Sequence, residues 1–93
     1  MIKVIIERKI AQGMESTYDA AIKDTLRAIL EAPGYKSGAN YKDASDGNHR
    51  VIITNWGSLA AWKKWQNSEE RRRVIAAIQP ILANSEKITV LTA

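Results

Sequence analysis

Apolar and polar positions alternate at the start of the chain. Ile2, Val4 and Ile6 fall on one side, and Lys3, Ile5 and Glu7 on the other. A period of two over residues 2–10 predicts a first strand, which Gly13 ends. Over residues 15–32 the period lengthens to that of a helix. Tyr18, Ile22, Leu26 (or Thr25) and Ile29-Leu30 recur on one side, with Lys23, Asp24, Arg27 and Glu31 largely opposite. Pro33-Gly34 stops it, because proline cannot donate to a helix and the residue before it is driven out of helical geometry. Residues 35–43 alternate again, with Tyr35, Ala39 and Tyr41 against Lys36, Asn40 and Lys42. Ser45-Asp46-Gly47-Asn48 is turn chemistry, and residues 49–56 form a strong strand, so the two strands are predicted to make a hairpin.

Ser58 is placed to cap a short helix carrying Trp62 and Trp65, and Ser68 or Asn67 to cap another. Glu69-Glu70 sits at the positive end of the second. Val74, Ile75, Ile78, Ile81 and Leu82 supply its apolar side, and Pro80 should end or kink it. Residues 86–92 close the chain as a last strand. The order is β-α-β-β-α-β with the second helical region split. It predicts an α+β, ferredoxin-like antiparallel sheet with helices on one face. Such a sheet needs only one apolar face, yet Val51 stands beside Ile52 and Val90 beside Leu91. The second apolar face is expected to be covered by another copy of the chain, making a homodimer.

Composition narrows the chemistry. At 93 residues the chain suits one domain, 1–93, and 45% hydrophobic with 26% charged residues is globular rather than disordered composition. There is no Cys and one His, which excludes thiol catalysis, Cys-based metal centres and a multi-histidine site within one subunit. Charge interrupts the apolar N-terminus, and no apolar run is long enough for a membrane span, so a cytoplasmic address and no membrane partner are expected. The net charge of +4 raises nucleic acid as a partner. Apart from Arg71-Arg72-Arg73 the basic residues are dispersed, and Glu69-Glu70 precedes that run, so it reads as a solvated helix face and no nucleic-acid partner is expected.

No nucleophile–base pair, paired-carboxylate signature or Gly-rich phosphate loop is present. What remains is aromatic. Trp56, Trp62 and Trp65 lie close together in the sequence, with Tyr18 and Tyr41 as sources of hydroxyls, Asn55 as an amide, and His49 and Arg50 at the head of the third strand. Trp residues so grouped serve a core or a ring-binding pocket. Asn55 also suits a corner residue bonding local backbone. His49 reads as exposed, and Arg50 as reaching for water.

The segment Asn55-Trp56-Gly57-Ser58-Leu59-Ala60-Ala61-Trp62-Lys63-Lys64-Trp65-Gln66-Asn67-Ser68, with Pro33-Gly34-Tyr35 leading into the second strand, resembles the strand-to-helix corner of the antibiotic biosynthesis monooxygenase family. The resemblance runs through the whole chain in order and length. It implies a dimeric α+β barrel with a pocket between each sheet and its helices, and the cofactor-free oxidation of polycyclic aromatic phenols that some members carry out. On that basis Trp56, Asn55 and Trp65 are the catalytic candidates, and Trp62, Tyr18, Tyr41 and Arg72 the substrate-binding ones. The partners implied are a small aromatic or quinone-like substrate and molecular oxygen, with no metal or flavin. The chain departs from the pattern where the family's strand Asn falls at Ile52 and its helical Tyr at Trp62. A related heme-degrading branch matches at Trp65 but has a His ligand where this chain carries Val74 and Ile75. The main alternative is a non-catalytic dimer that binds a small hydrophobic molecule.

Overall fold

The computed structural model describes all 93 residues. Four strands, β1 (Ile2–Lys9), β2 (Tyr35–Asp43), β3 (Asp46–Trp56) and β4 (Lys87–Thr92), form one antiparallel sheet in the order β2-β3-β1-β4. Helices α1 (Glu15–Ile29), α2 (Leu59–Gln66) and α3 (Glu69–Ile75), with a 3-10 turn at Gln79–Ile81, supply the second layer. This is the α+β, ferredoxin-like arrangement. No helix is long and apolar enough to cross a membrane.

The alternation in β1 and β3 sorts their side chains between the two faces. Ile2, Val4, Ile6 and Ile10 face the helices with Ile52, Thr54 and Trp56, and all are buried. Helix α1 meets them along Tyr18, Ile22, Thr25 and Ile29. Thr25 takes the inward place, and Leu26 turns outward, 37% exposed. Ser58 and Ser68 cap α2 and α3, each Oγ accepting from a backbone N–H, of Ala61 and of Arg71, at 3.1 Å. Ser68 also donates to the Trp65 carbonyl at 2.7 Å, which fixes the angle between the two short helices. Gly34, with φ of +87°, lets the chain turn from α1 into β2. A Cβ there would lie 2.5 Å from that of Ala61, so the close approach of α2 also needs glycine.

The hairpin turn differs from the sequence expectation. Strand β3 begins at Asp46, leaving only Ala44-Ser45 between the strands. The Asp43 carboxylate accepts from both the backbone N–H and the hydroxyl of Ser45, at 2.8 and 2.9 Å. That side-chain bonding makes the turn, with a register shift beside it, and frees Asn48 to donate to the Ile10 carbonyl across the sheet at 2.9 Å.

One polar network lies within the apolar layer. Glu86, just before β4, receives Arg8 Nε of β1 at 2.9 Å on one oxygen and Arg71 Nη2 of α3 at 2.8 Å on the other. Arg8 Nη1 donates to the Tyr18 hydroxyl at 3.1 Å, which ties in α1. Burial alone would raise the Glu86 pKa. The hydrogen bond from Arg71 and the charges of both guanidinium groups outweigh it and hold the carboxyl below its ordinary value of 4.5.

A depressed carboxylate pKa contributes stability above the unfolded-state value, and that contribution is lost as pH falls through the folded-state value. Glu86→Gln is therefore expected to cost on the order of 3–5 kcal/mol at neutral pH. Its gap from the native protein should narrow as pH drops below 4.5, where the unfolded-state carboxyl protonates, and close as pH falls through the lower folded-state value, where the native carboxyl is neutral too. Urea unfolding at a series of pH values measures this. A gap that stays constant into acid would show that the Glu86 charge does not hold these elements together.

Candidate functional site

The sheet–helix layer is not filled throughout. Between β1, β2 and β3 on one side and α1 and α3 on the other lies a cavity of about 130 Å³. Its apolar walls come from Ile6, Ile52, Ile29 and Trp65. Arg8 and Arg71 line it, as do Thr25, Tyr35, Asn40 and Thr54. Its mouth lies toward Leu26, Ala39 and Asn40, which are all exposed.

The strand register orders these groups. Arg8 pairs with Arg50, Ile6 with Ile52 and Asn40, Val4 with Thr54 and Gly38, and Ile2 with Trp56 and Tyr35. The guanidinium of Arg8 therefore belongs to one end and the Tyr35 ring to the other. Gly38 makes room at the Tyr35 end. A Cβ there would lie 2.5 Å from the Tyr35 hydroxyl, 3.2 Å from the Thr54 methyl and 3.3 Å from the Ile53 carbonyl. Burial raises the Tyr35 pKa, so its phenol stays protonated and can donate a hydrogen bond at neutral pH.

The electrostatics of the other end are asymmetric. Two guanidinium groups share the single Glu86 carboxylate. Asp19 does not offset this, because its carboxylate already accepts from Arg50 Nη1 at 2.6 Å. The cavity thus carries surplus positive charge against apolar walls. Thr25 adds a buried hydroxyl with no hydrogen-bond partner.

The structure separates the three tryptophans. Trp56 is fully buried, with its indole N–H donating to Thr54 Oγ1 at 2.9 Å. Trp62 meets it edge-on at 5.7 Å, and Tyr35 does so at 5.4 Å. Trp65 stacks on Trp56 at 6.5 Å and 28°. Of the three, only Trp65 lines the cavity. It also forms one wall of an outer groove of about 190 Å³ beside Ala28, Ala32 and Ala61.

Other sequence candidates lie elsewhere. Tyr18 is fully buried and braces Arg8, and the Arg50 guanidinium stacks 5.4 Å above its ring. Arg50 is therefore buried among partners rather than reaching for water. Asn55 is on the opposite face of the sheet, donating to Ser37 Oγ at 3.1 Å, and Tyr41 is on that same outer face, 54% exposed. Arg72 points outward and pairs with Glu69. His49 lies on the outer face, bonded to Asp43 at 2.9 Å; that bond raises its pKa.

Sequence reasoning gave no site role to Arg8, Thr25, Tyr35 or Asn40, and chose Arg72 over Arg71. Spacing could have found Arg71, which shares a helical stripe with Ile75 and Ile78. Asn40 sits across the ladder from Ile52, so an amide reaches the cavity from the neighbouring strand.

Comparison with solved structures finds the same fold. A crystal structure described as an antibiotic biosynthesis monooxygenase superposes with a TM-score of 0.91 at 19% identity, covering 100% of this chain and 98% of its own. Rv0793 from Mycobacterium tuberculosis gives 0.88 at 20%, covering 99% and 93%. SnoaB from Streptomyces nogalater, described as a cofactor-independent oxygenase, gives 0.86 at 14%, covering 99% and 92%. At these identities the likeness is one of fold. No curated protein sequence matches the chain. The family model for antibiotic biosynthesis monooxygenase matches residues 1–77, spanning β1 through α3 and every side chain that lines the cavity, and the chain belongs to that family.

Proposed function

We propose that this protein is a cofactor-independent monooxygenase that oxidises a small aromatic or quinone-like substrate in the cavity between sheet and helices. The observation that carries the proposal is the cavity's combination of apolar walls with two arginines sharing one carboxylate. An electron-rich phenol reacts with oxygen once it is an anion, and surplus positive charge in a dry site favours the anion. Family membership and the description of SnoaB as a cofactor-independent oxygenase support the same reading.

The reaction balances without an outside reductant. A ring carbon loses its hydrogen and takes one atom of O2 as a carbonyl. The phenol becomes the second carbonyl, and the other oxygen atom leaves as water with both hydrogens. The substrate gives all four electrons. In this scheme Trp65 stacks on the ring, Arg8 and Arg71 hold the oxyanion, Tyr35 donates to the opposite oxygen, and the apolar walls of Ile6, Ile29 and Ile52 limit water around the intermediate. Trp56 and Trp62 act as the rigid backing of Trp65.

The working form is a homodimer. Val51, Ile53, Ile5 and Leu91 form an apolar band on the outer face of the sheet, beside Tyr41, with Leu91 44% exposed. A second copy packed sheet to sheet would bury it. A second reading, a binding dimer without turnover, draws on Ile52 standing where the family carries an amide.

Metal-free, flavin-free protein given a panel of phenols and hydroquinones should consume oxygen in step with quinone formation, and form no product anaerobically. Quenching of Trp fluorescence without oxygen uptake would favour the binding dimer and overturn the enzymatic reading. Ile53→Lys places a charge in the middle of the outer band. Light scattering is expected to find a dimer for the native protein and a monomer for the variant; a native monomer would contradict the assembly.

A further inference from the structure

We infer that protonation of His49 controls the sheet-to-sheet homodimer, which holds at mildly acidic pH and loosens as the medium turns alkaline. The inference rests on the dimer of the proposed function and adds its regulation.

Strand register lays out the outer face in rows. One row runs Thr89, Ile5, Ile53, Ala39, and the next runs Lys87, Glu7, Val51, Tyr41. Glu7 therefore lies inside the apolar band, beside Val51 in its own row and next to Ile5 along its own strand. A second copy that covers Val51 also covers the Glu7 carboxylate. A charge taken from water needs a partner in good geometry. The Lys87 ammonium stands 4.0 Å away, and His49 Nε2 stands 3.5 Å away. His49 turns its other nitrogen, Nδ1, to the Asp43 carboxylate at 2.9 Å. One imidazole thus bridges carboxylates of β1 and β2 at the rim of the band. All three side chains keep roughly a third of their surface in water, which a second copy would remove.

The charges around this ring balance only when it is protonated. On β1 it meets Glu7 and its cross-strand neighbour Lys9, and on β2 it meets Asp43. Lys87 of β4 bonds Glu7, and Asp46 at the head of β3 bonds Lys9. The patch therefore sets three carboxylates against two ammonium groups. A neutral imidazole leaves one negative charge uncompensated and donates to only one of its two carboxylates. An imidazolium donates to both and makes the patch neutral. A twofold dimer buries the patch on each copy, so the cost of a neutral ring is incurred twice.

The bond to Asp43 outweighs burial and, helped by Glu7, already holds the His49 pKa above its ordinary value of 6.5. Removing water from the pairs strengthens them, so the ring is more basic in the dimer than in the monomer. Such a group stabilises the dimer fully below its monomer value, and the contribution is lost as pH rises through its dimer value.

Sedimentation of a dilution series at about pH 6 and about pH 8.5 tests this on the native chain, whose only histidine is His49. The dimer dissociation constant is expected to be about tenfold larger at the higher pH. His49→Gln should hold it near the native alkaline value at both. Glu7→Gln removes a covered carboxylate, so it should tighten the alkaline dimer and flatten the pH dependence. The native series and Glu7→Gln decide the matter even if His49→Gln does not fold. A native constant that stays level or falls as pH rises would overturn the inference and leave the assembly standing. So would a full pH dependence retained in His49→Gln. A monomer at every pH would overturn both.

Discussion

The ion network at Glu86 constrains the rest of the molecule. One carboxylate bonds Arg8 near the beginning of the chain and Arg71 on the third helix, and Tyr18 completes the bonding of Arg8. Charged groups with so little exposure persist only where partners meet them in good geometry. β1, α1, α3 and the segment leading into β4 are therefore held in one relative placement. A core of Ile, Val and Trp alone would tolerate small slips between these elements, because apolar contacts are not directional. The same network leaves the interior with one more positive charge than negative. In the proposed function a stabilising interaction and a recognition feature are one set of atoms.

The aromatic cluster does complementary work at the far end. Trp56 is anchored by its hydrogen bond to Thr54 and enclosed by Trp62 and Tyr35, so Trp65, stacked on it, presents a fixed surface to the cavity. Rigid backing matters for any site that must hold a flat ring, since a loosely packed indole loses contact with a small displacement. Gly38 and Gly34 preserve the shape of this end. One leaves room for the Tyr35 hydroxyl, and the other allows α2 to approach the end of α1.

Much of the fold was legible because periodicity reports which side chains face the core. β1 and β3 alternate strictly, and the caps Ser58 and Ser68 are where their chemistry placed them. The hairpin turn was displaced because the bonding of Asp43 to Ser45, rather than the Asp46-Gly47 pair, makes the reversal. The site was less legible. Asn55 looked promising for its place beside Trp56, yet a strand sends neighbours to opposite faces, and it lies away from the cavity. Arg71 and Arg72 differ only in helical phase, which the Ser68 cap sets. Arg8 and Glu86 stand at opposite ends of the chain, and Asn40 meets Ile52 only through strand pairing. No local pattern joins such residues.

The proposed chemistry depends on the cavity favouring an anion over its neutral acid. An absorbance titration of para-nitrophenol bound to the protein reads this directly, because the phenol and its phenolate absorb differently. The bound dye should ionise at lower pH than the free dye, and the difference should shrink in Arg71→Met. A bound dye that ionises at the same pH as the free one, or at higher pH, would show that the walls' low polarity outweighs the arginines, and would contradict the central claim.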